Sequence, residues 1–167
     1  MIGPREAPRL WERHILNCAA VLPRVPRDAT VADVGSGAGL PGLVWAVARP
    51  DLQVTLIEPL LRRTVFLEEA VADLGIEGVT VLRARAEDVR ETFDVVTARA
   101  VAPLEKLAGW CLPLVRPGGV LLALKGQRAE EEMASSRVSL RKMGATDIVV
   151  SSYGDLQVPT TVVEVTR

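Results

Sequence analysis

The stretch VADVGSGAGLPG, Val31 to Gly42, decides the fold. It reads as a short apolar strand carrying an acid, Asp33, then a turn with glycines at 35, 37 and 39, then a helix entered through Pro41. Glycines let the backbone adopt positive φ and approach a ligand with no Cβ in the way. A helix N-terminus aimed at the same place adds unpaired N–H groups and the positive end of a dipole. The combination is a cradle for a nucleotide-like or amino-acid-like ligand.

Around this stretch, apolar β-branched runs alternate with helical periodicity. Strands are expected at 30–34, 53–57, 79–82, 93–97, 120–124, 147–150 and 161–165. Helices are expected at 8–22, 41–48, 60–74, 104–114 and 130–143. The first should carry Leu10, Trp11, His14, Ile15 and Cys18 on one apolar stripe, and the third should turn Leu67, Val71 and Leu74 inward and stop at Gly75. Arg116-Pro117-Gly118-Gly119 should break the chain between the fourth helix and the fifth strand. Such alternation implies an α/β, Rossmann-like doubly wound sheet with helices on both faces. The last two strands have no helix between them, so the final one should run antiparallel to its neighbour.

The chain has 167 residues, 49% of them hydrophobic, which suits one compact domain. A formal net charge of −1 argues against a general nucleic-acid coat protein but leaves room for a local basic face. Of the 20 Lys and Arg residues all but Lys106, Lys125 and Lys142 are arginine, the residue suited to bidentate phosphate or carboxylate recognition. Cys18 and Cys111 are isolated and read as small buried hydrophobes. With one histidine and no Cys-x-x-Cys, no metal site is expected. No membrane-length apolar run and no targeting segment is evident, so a cytoplasmic protein is expected, and a monomer.

Two templates overlap in the glycine turn. Gly37 to Gly42 is a literal G-x-G-x-x-G, a weak dinucleotide signal on its own. Its register is wrong: Gly35 holds the place directly after the strand, and counting from it puts Leu40 where the third glycine belongs. Read instead from Asp33, the pattern is acid-x-Gly-x-Gly-x-Gly, the S-adenosylmethionine loop of class I methyltransferases. Glu58 follows the second strand, 23 residues past Gly35. A carboxylate there can accept from both ribose hydroxyls of either cofactor, so Glu58 supports an adenosine ligand without choosing one. Ala86 and Glu87, after the third strand, can offer a backbone N–H and a carboxylate to an adenine ring, or can simply cap a helix. A dehydrogenase would also need a substrate domain, for which 167 residues leave no room.

The segments GPREAPRLWERHILNC, VADVGSGAGLPG, ARPDLQVTLIEPLLRRTVFLEE, RARAED, DVVTARAVAPLEKL and LLALKG cover most of the chain. On them the sequence resembles the 16S ribosomal RNA guanine-N7 methyltransferases, the glucose-inhibited division protein B family, and most of all their actinobacterial branch. The resemblance implies a single-domain class I methyltransferase: residues 29–167 as the S-adenosyl-L-methionine-dependent core and 1–28 as an N-terminal helix and linker packed on it. It implies cofactor contacts at Gly35, Leu40, Ala86, Glu87 and Arg99, beside Asp33 and Gly37 from the turn itself and Glu58 after the second strand. Members usually carry a further N-terminal helical segment with an aromatic-Asn-Leu-Thr stretch; this sequence opens at Met1-Ile2-Gly3.

The implied reaction is methyl transfer to N7 of one guanine, with 16S ribosomal RNA or the small-subunit particle as partner. N7 carries a free lone pair and no proton, so no general base is required and no catalytic residue is named. Arg99 is expected to bind the methionine carboxylate or an RNA phosphate. Arg13, His14 and Lys125 are candidate RNA contacts, with a packed histidine and an ordinary exposed lysine as the alternatives. Arg5, Arg9, Arg62 and Arg63 could add a phosphate-binding rim, while Trp11, Trp45 and Trp110 are read as core. Two other classes remain: a methyltransferase of this fold acting on a small molecule or protein, and a non-catalytic nucleotide-binding module.

Overall fold

The computed structural model describes residues 10–99, 101–154 and 159–167, the side chains of Glu12 and Arg13 excepted. The strands are β1 (Thr30–Val34), β2 (Gln53–Ile57), β3 (Val79–Leu82), β4 (Phe93–Arg99), β5 (Val115–Lys125), β6 (Asp147–Tyr153) and β7 (Thr160–Thr166). The helices are α1 (Leu16–Ala19), α2 (Gly42–Ala48), α3 (Leu61–Leu74), α4 (Leu104–Cys111) and α5 (Ala129–Lys142). The strands form one sheet in the order β3-β2-β1-β4-β5-β7-β6. Pairing is parallel from β3 through β5, and β7 is antiparallel to both β5 and β6. The chain winds outward from β1 to β3, then returns to start the other half at β4. The C-terminal ends of β1 and β4 therefore flank a switch point, where open α/β sheets place their ligand crevice.

Side-chain alternation divides the core in two. On β5, Leu121 and Ala123 face a cluster with Leu104, Leu107 and Ala108 of α4 and Leu140 of α5. Val120, Leu122 and Leu124 face the other cluster, with Cys18 of α1, Leu43, Trp45 and Ala46 of α2 and Leu67 of α3. Trp45 is fully buried and its indole N–H donates to the Cys18 carbonyl at 2.8 Å, tying α2 to α1. Both cysteines are free and buried. No helix among the described residues is long and apolar enough to cross a membrane.

Several expectations give way. The expected helix 8–22 is instead π-helical over Leu10–Ile15, α-helical over α1, and a 3₁₀ turn at Leu22–Arg24. Wider i→i+5 winding does not keep the 3.6-residue stripe, and Trp11 is 69% exposed rather than in the core. Leu74 likewise faces solvent, although Gly75 ends α3 in the left-handed conformation as expected. The fourth helix stops at Cys111 and passes into a 3₁₀ turn, Leu112–Leu114. Arg116 to Gly119 do not precede β5 but lie inside it. Val115 pairs with Phe93 and Val120 with Val95, so these four residues form a bulge within the strand. Arg99 and Lys125 do not follow β4 and β5 but end them.

Truncating Trp45 removes its packing and its hydrogen bond together. Trp45→Ala should lower unfolding free energy by about 3–5 kcal/mol, measured by chemical denaturation; a loss below about 1 kcal/mol would contradict the packing described.

Candidate functional site

The turn from β1 into α2 is shaped by its short polar contacts. Gly35, at φ 69°, donates its N–H to the Ile57 carbonyl at 2.8 Å, and a Cβ there would meet Val101 Cγ2 at 3.0 Å. The Gly37 N–H donates to Glu58 Oε2 at 3.1 Å. At the far end the Gly42 N–H donates to Asp33 Oδ2 at 2.9 Å. Here a Cβ would stand 2.4 Å from Leu56 and 2.7 Å from that same carboxylate oxygen. Gly42, the last glycine of the apparent dinucleotide pattern, is thus required by close helix–strand packing.

Asp33 is 1% exposed, and its Oδ1 has no hydrogen-bond partner among the described protein atoms. Burial raises its pKa to about 7, against the lowering effect of the Gly42 N–H and Ser36. Glu58 is as deeply placed, yet better satisfied: Oε1 accepts from the Leu60 N–H at 3.1 Å, and Arg63 approaches Oε2 at 3.5 Å.

Above the turn lies a cavity of about 910 Å³. It gathers nearly all the residues singled out from sequence: Gly35, Gly37, Leu40, Glu58, Ala86, Glu87, Arg99 and His14 line it. Asp33 is absent from that wall and supports the turn from beneath. Ala86 and Glu87 stand on a 3₁₀ turn, Ala86–Asp88, just after β3. Arg63, expected on a phosphate-binding rim, and Trp110, read as core, also line the cavity, as does Val101, which sequence reasoning missed. Trp110 packs against the α4-side core while lining the cavity, and Lys106 Nζ sits 5.1 Å from its ring centroid.

Arg99 reaches the N-terminal helical segment. Its guanidinium donates to Cys18 Sγ at 3.2 Å and to the His14 carbonyl at 3.5 Å, and its other terminal nitrogen lies 2.5 Å from His14 Nδ1. Guanidinium only donates, so in this contact Nδ1 is the accepting atom. Burial pushes the Cys18 thiol up to about 11 despite Arg99 beside it. Lys125 is not on the cavity wall. Its ammonium donates to the Ala102 carbonyl at 2.7 Å and pairs with Glu132 at 2.8 Å, so Lys125, expected from sequence either at an RNA phosphate or as an ordinary exposed lysine, is largely buried and paired. The Arg13 side chain and all of Arg5 and Arg9 lie outside the described residues. No group of His, Cys, Asp and Glu among the described residues could hold a metal ion.

Comparison with known proteins agrees with this geometry. Residues 1–158 match the family model described as rRNA small subunit methyltransferase G. The chain is 59% identical over 165 residues to a Nocardioides protein named ribosomal RNA small subunit methyltransferase G, covering 97% of this chain and 66% of that one. It is 57% identical to a Salinispora tropica protein of the same name, covering 100% and 74%. Among solved structures, a SAM-dependent methyltransferase from Aquifex aeolicus superimposes with a TM-score of 0.68 at 18% identity, covering 98% of this chain and 95% of its own. That likeness establishes the class I methyltransferase fold.

The raised pKa of Asp33 carries a sign. Between its ordinary value of 3.8 and about 7 the folded state holds a proton that the unfolded state has lost. This contribution to stability is therefore present at low pH and declines as pH rises through that window. Asp33→Asn cannot titrate. Its stability relative to wild type should rise between pH 4 and pH 8, followed by denaturation midpoints; a pH-independent difference would show that Asp33 is ionised throughout.

Proposed function

We propose that this chain, which belongs to the rRNA small subunit methyltransferase G family, transfers a methyl group from S-adenosyl-L-methionine to N7 of a guanine in 16S ribosomal RNA. The observation that carries the reading is the cavity at the β1/β4 switch point, with the glycine turn on one side and Glu58 on the other. The family match supplies the substrate class. The protein's residues fit the donor: Glu58 keeps acceptor capacity beyond its backbone bonds, since an ionised carboxylate offers about four lone-pair sites. Its contact with Arg63 is the longest of the three, at 3.5 Å, so a ribose hydroxyl replaces that one at least cost.

In this reading Gly35, Gly37 and Leu40, held in shape by Asp33, receive the amino-acid end of the donor. Ala86 and Glu87 receive its adenine. We assign Arg99 to the methionine carboxylate rather than to an RNA phosphate, because it ends β4 on the cavity wall and is fixed there by His14 and Cys18. The bound donor supplies an electrophilic methyl on a sulfonium. Guanine N7 brings its own lone pair, so what the protein adds is alignment and the exclusion of water.

Small-subunit particles from cells lacking the gene should gain N7-methylguanine on incubation with the protein and S-adenosyl-L-methionine, read by mass mapping of the RNA; particles left unmodified would remove this reading. Arg99→Ala should abolish or severely lower that methylation while the fold survives; wild-type turnover would refute its role. Glu58→Ala should weaken donor binding by at least about tenfold, the worth of a charge-assisted hydrogen bond. Unchanged affinity in a calorimetric titration would displace the ribose assignment.

A further inference from the structure

Lys125 terminates β5 with its side chain only 9% exposed. Burying an ammonium is costly unless it is paired and hydrogen-bonded, and here both partners are in place. Its Nζ donates to the Ala102 carbonyl, in the segment joining β4 to α4, and to Glu132 Oε2 in the first turn of α5. That same Oε2 accepts the N–H of Leu104, the first residue of α4, at 2.8 Å. One ion pair thus gathers the end of β5, the start of α4, the start of α5 and the connecting segment.

That segment borders the site. Val101, one residue before the clamped carbonyl, lines the cavity and lies against Gly35, close enough that a Cβ there would meet it at 3.0 Å. The gap between the glycine turn and residues 101–103 is therefore set from the Lys125 side. An acceptor entering at the C-terminal ends of β1 and β4 must pass this segment to reach a donor held on the turn. In-line transfer needs the reacting atoms within about 3–3.5 Å, and a misplacement of about 1 Å costs on the order of a hundredfold.

We propose that the Lys125–Glu132 ion pair is a positioning device: it fixes residues 101–103 against the glycine turn and so aligns the acceptor base without touching donor or acceptor. The inference rests on the methyl-transfer reading above. It replaces direct phosphate contact by Lys125 with an indirect role, and it gives Glu132 a function that a solvated first-turn acid would not have.

The test uses the full chain with Lys125→Met, Lys125→Arg, Glu132→Gln and the Met/Gln double variant, assayed on unmodified small-subunit particles. Lys125→Met should lower kcat by tenfold or more while donor affinity stays within twofold and the KM for particles is unchanged. Lys125→Arg should recover part of the rate, and the double variant should be no worse than Lys125→Met alone. The Leu104 amide should lose at least tenfold of its hydrogen-exchange protection. A wild-type kcat would overturn the proposal. So would a raised KM with intact kcat and a shallower salt dependence, the mark of a phosphate contact, or donor affinity and rate falling together. Should Lys125→Met not fold, Glu132→Gln carries the same readouts. If the wild-type protein itself leaves the particles unmodified, the functional reading fails, and Leu104 exchange still judges the clamp: unchanged protection in Glu132→Gln overturns it.

Discussion

Two buried carboxylates on the turn between β1 and α2 set the geometry on which the rest of the site depends. Asp33 holds the Gly42 N–H where the helix begins, and Glu58, just past the end of β2, holds the Gly37 N–H near the middle. Neither contact tolerates a bulkier backbone. At Gly42 a side chain would collide with Leu56 and with Asp33 itself, and Gly37 sits at φ 58°. Buried acids are costly, and Asp33 meets that cost by a raised pKa whereas Glu58 meets it by gathering donors. Both acids thus brace the turn through the protein's own hydrogen bonds.

Two cations that end strands beside the cavity, Arg99 and Lys125, share a pattern. In the proposed reaction, methylation at N7 would leave a positive charge on guanine, and a cation aimed at that atom would oppose it. Arg99 is turned toward His14 and Cys18, and Lys125 toward Ala102 and Glu132. In both cases a charge conspicuous in the sequence is engaged by the protein at a strand end beside the site. The charge contributes order to the neighbouring segments: Arg99 to the N-terminal helical region, Lys125 to the start of α4.

The sequence made some of this plain and hid the rest for physical reasons. Strands β1, β2 and β3 fall at their expected boundaries because each is a compact apolar run closed by turn residues. The cavity residues were legible because a glycine turn and an acid after the next strand are local patterns. The π-winding of Leu10–Ile15 was not legible, since the same residues satisfy an α-helical stripe. Pro117 and Gly118 read as a break, yet the bulge accommodates them inside β5. Lys125 was misplaced because its partners, Ala102 and Glu132, come from other elements, and periodicity carries no information about such a meeting. Val101 left no signal at all: an alanine- and valine-rich stretch after a strand does not announce that it will press on Gly35.

The central claim is that one cradle, the 35–40 turn with Glu58, grips a sulfonium donor by its amino-acid tail and its sugar. A crystal structure with bound S-adenosylhomocysteine tests this most directly. The account predicts both ribose hydroxyls within hydrogen-bond distance of Glu58 and the homocysteine end over Gly35 and Gly37. A ligand lodged elsewhere, or a Glu58 still bonded only to Gly37, Leu60 and Arg63, would contradict it.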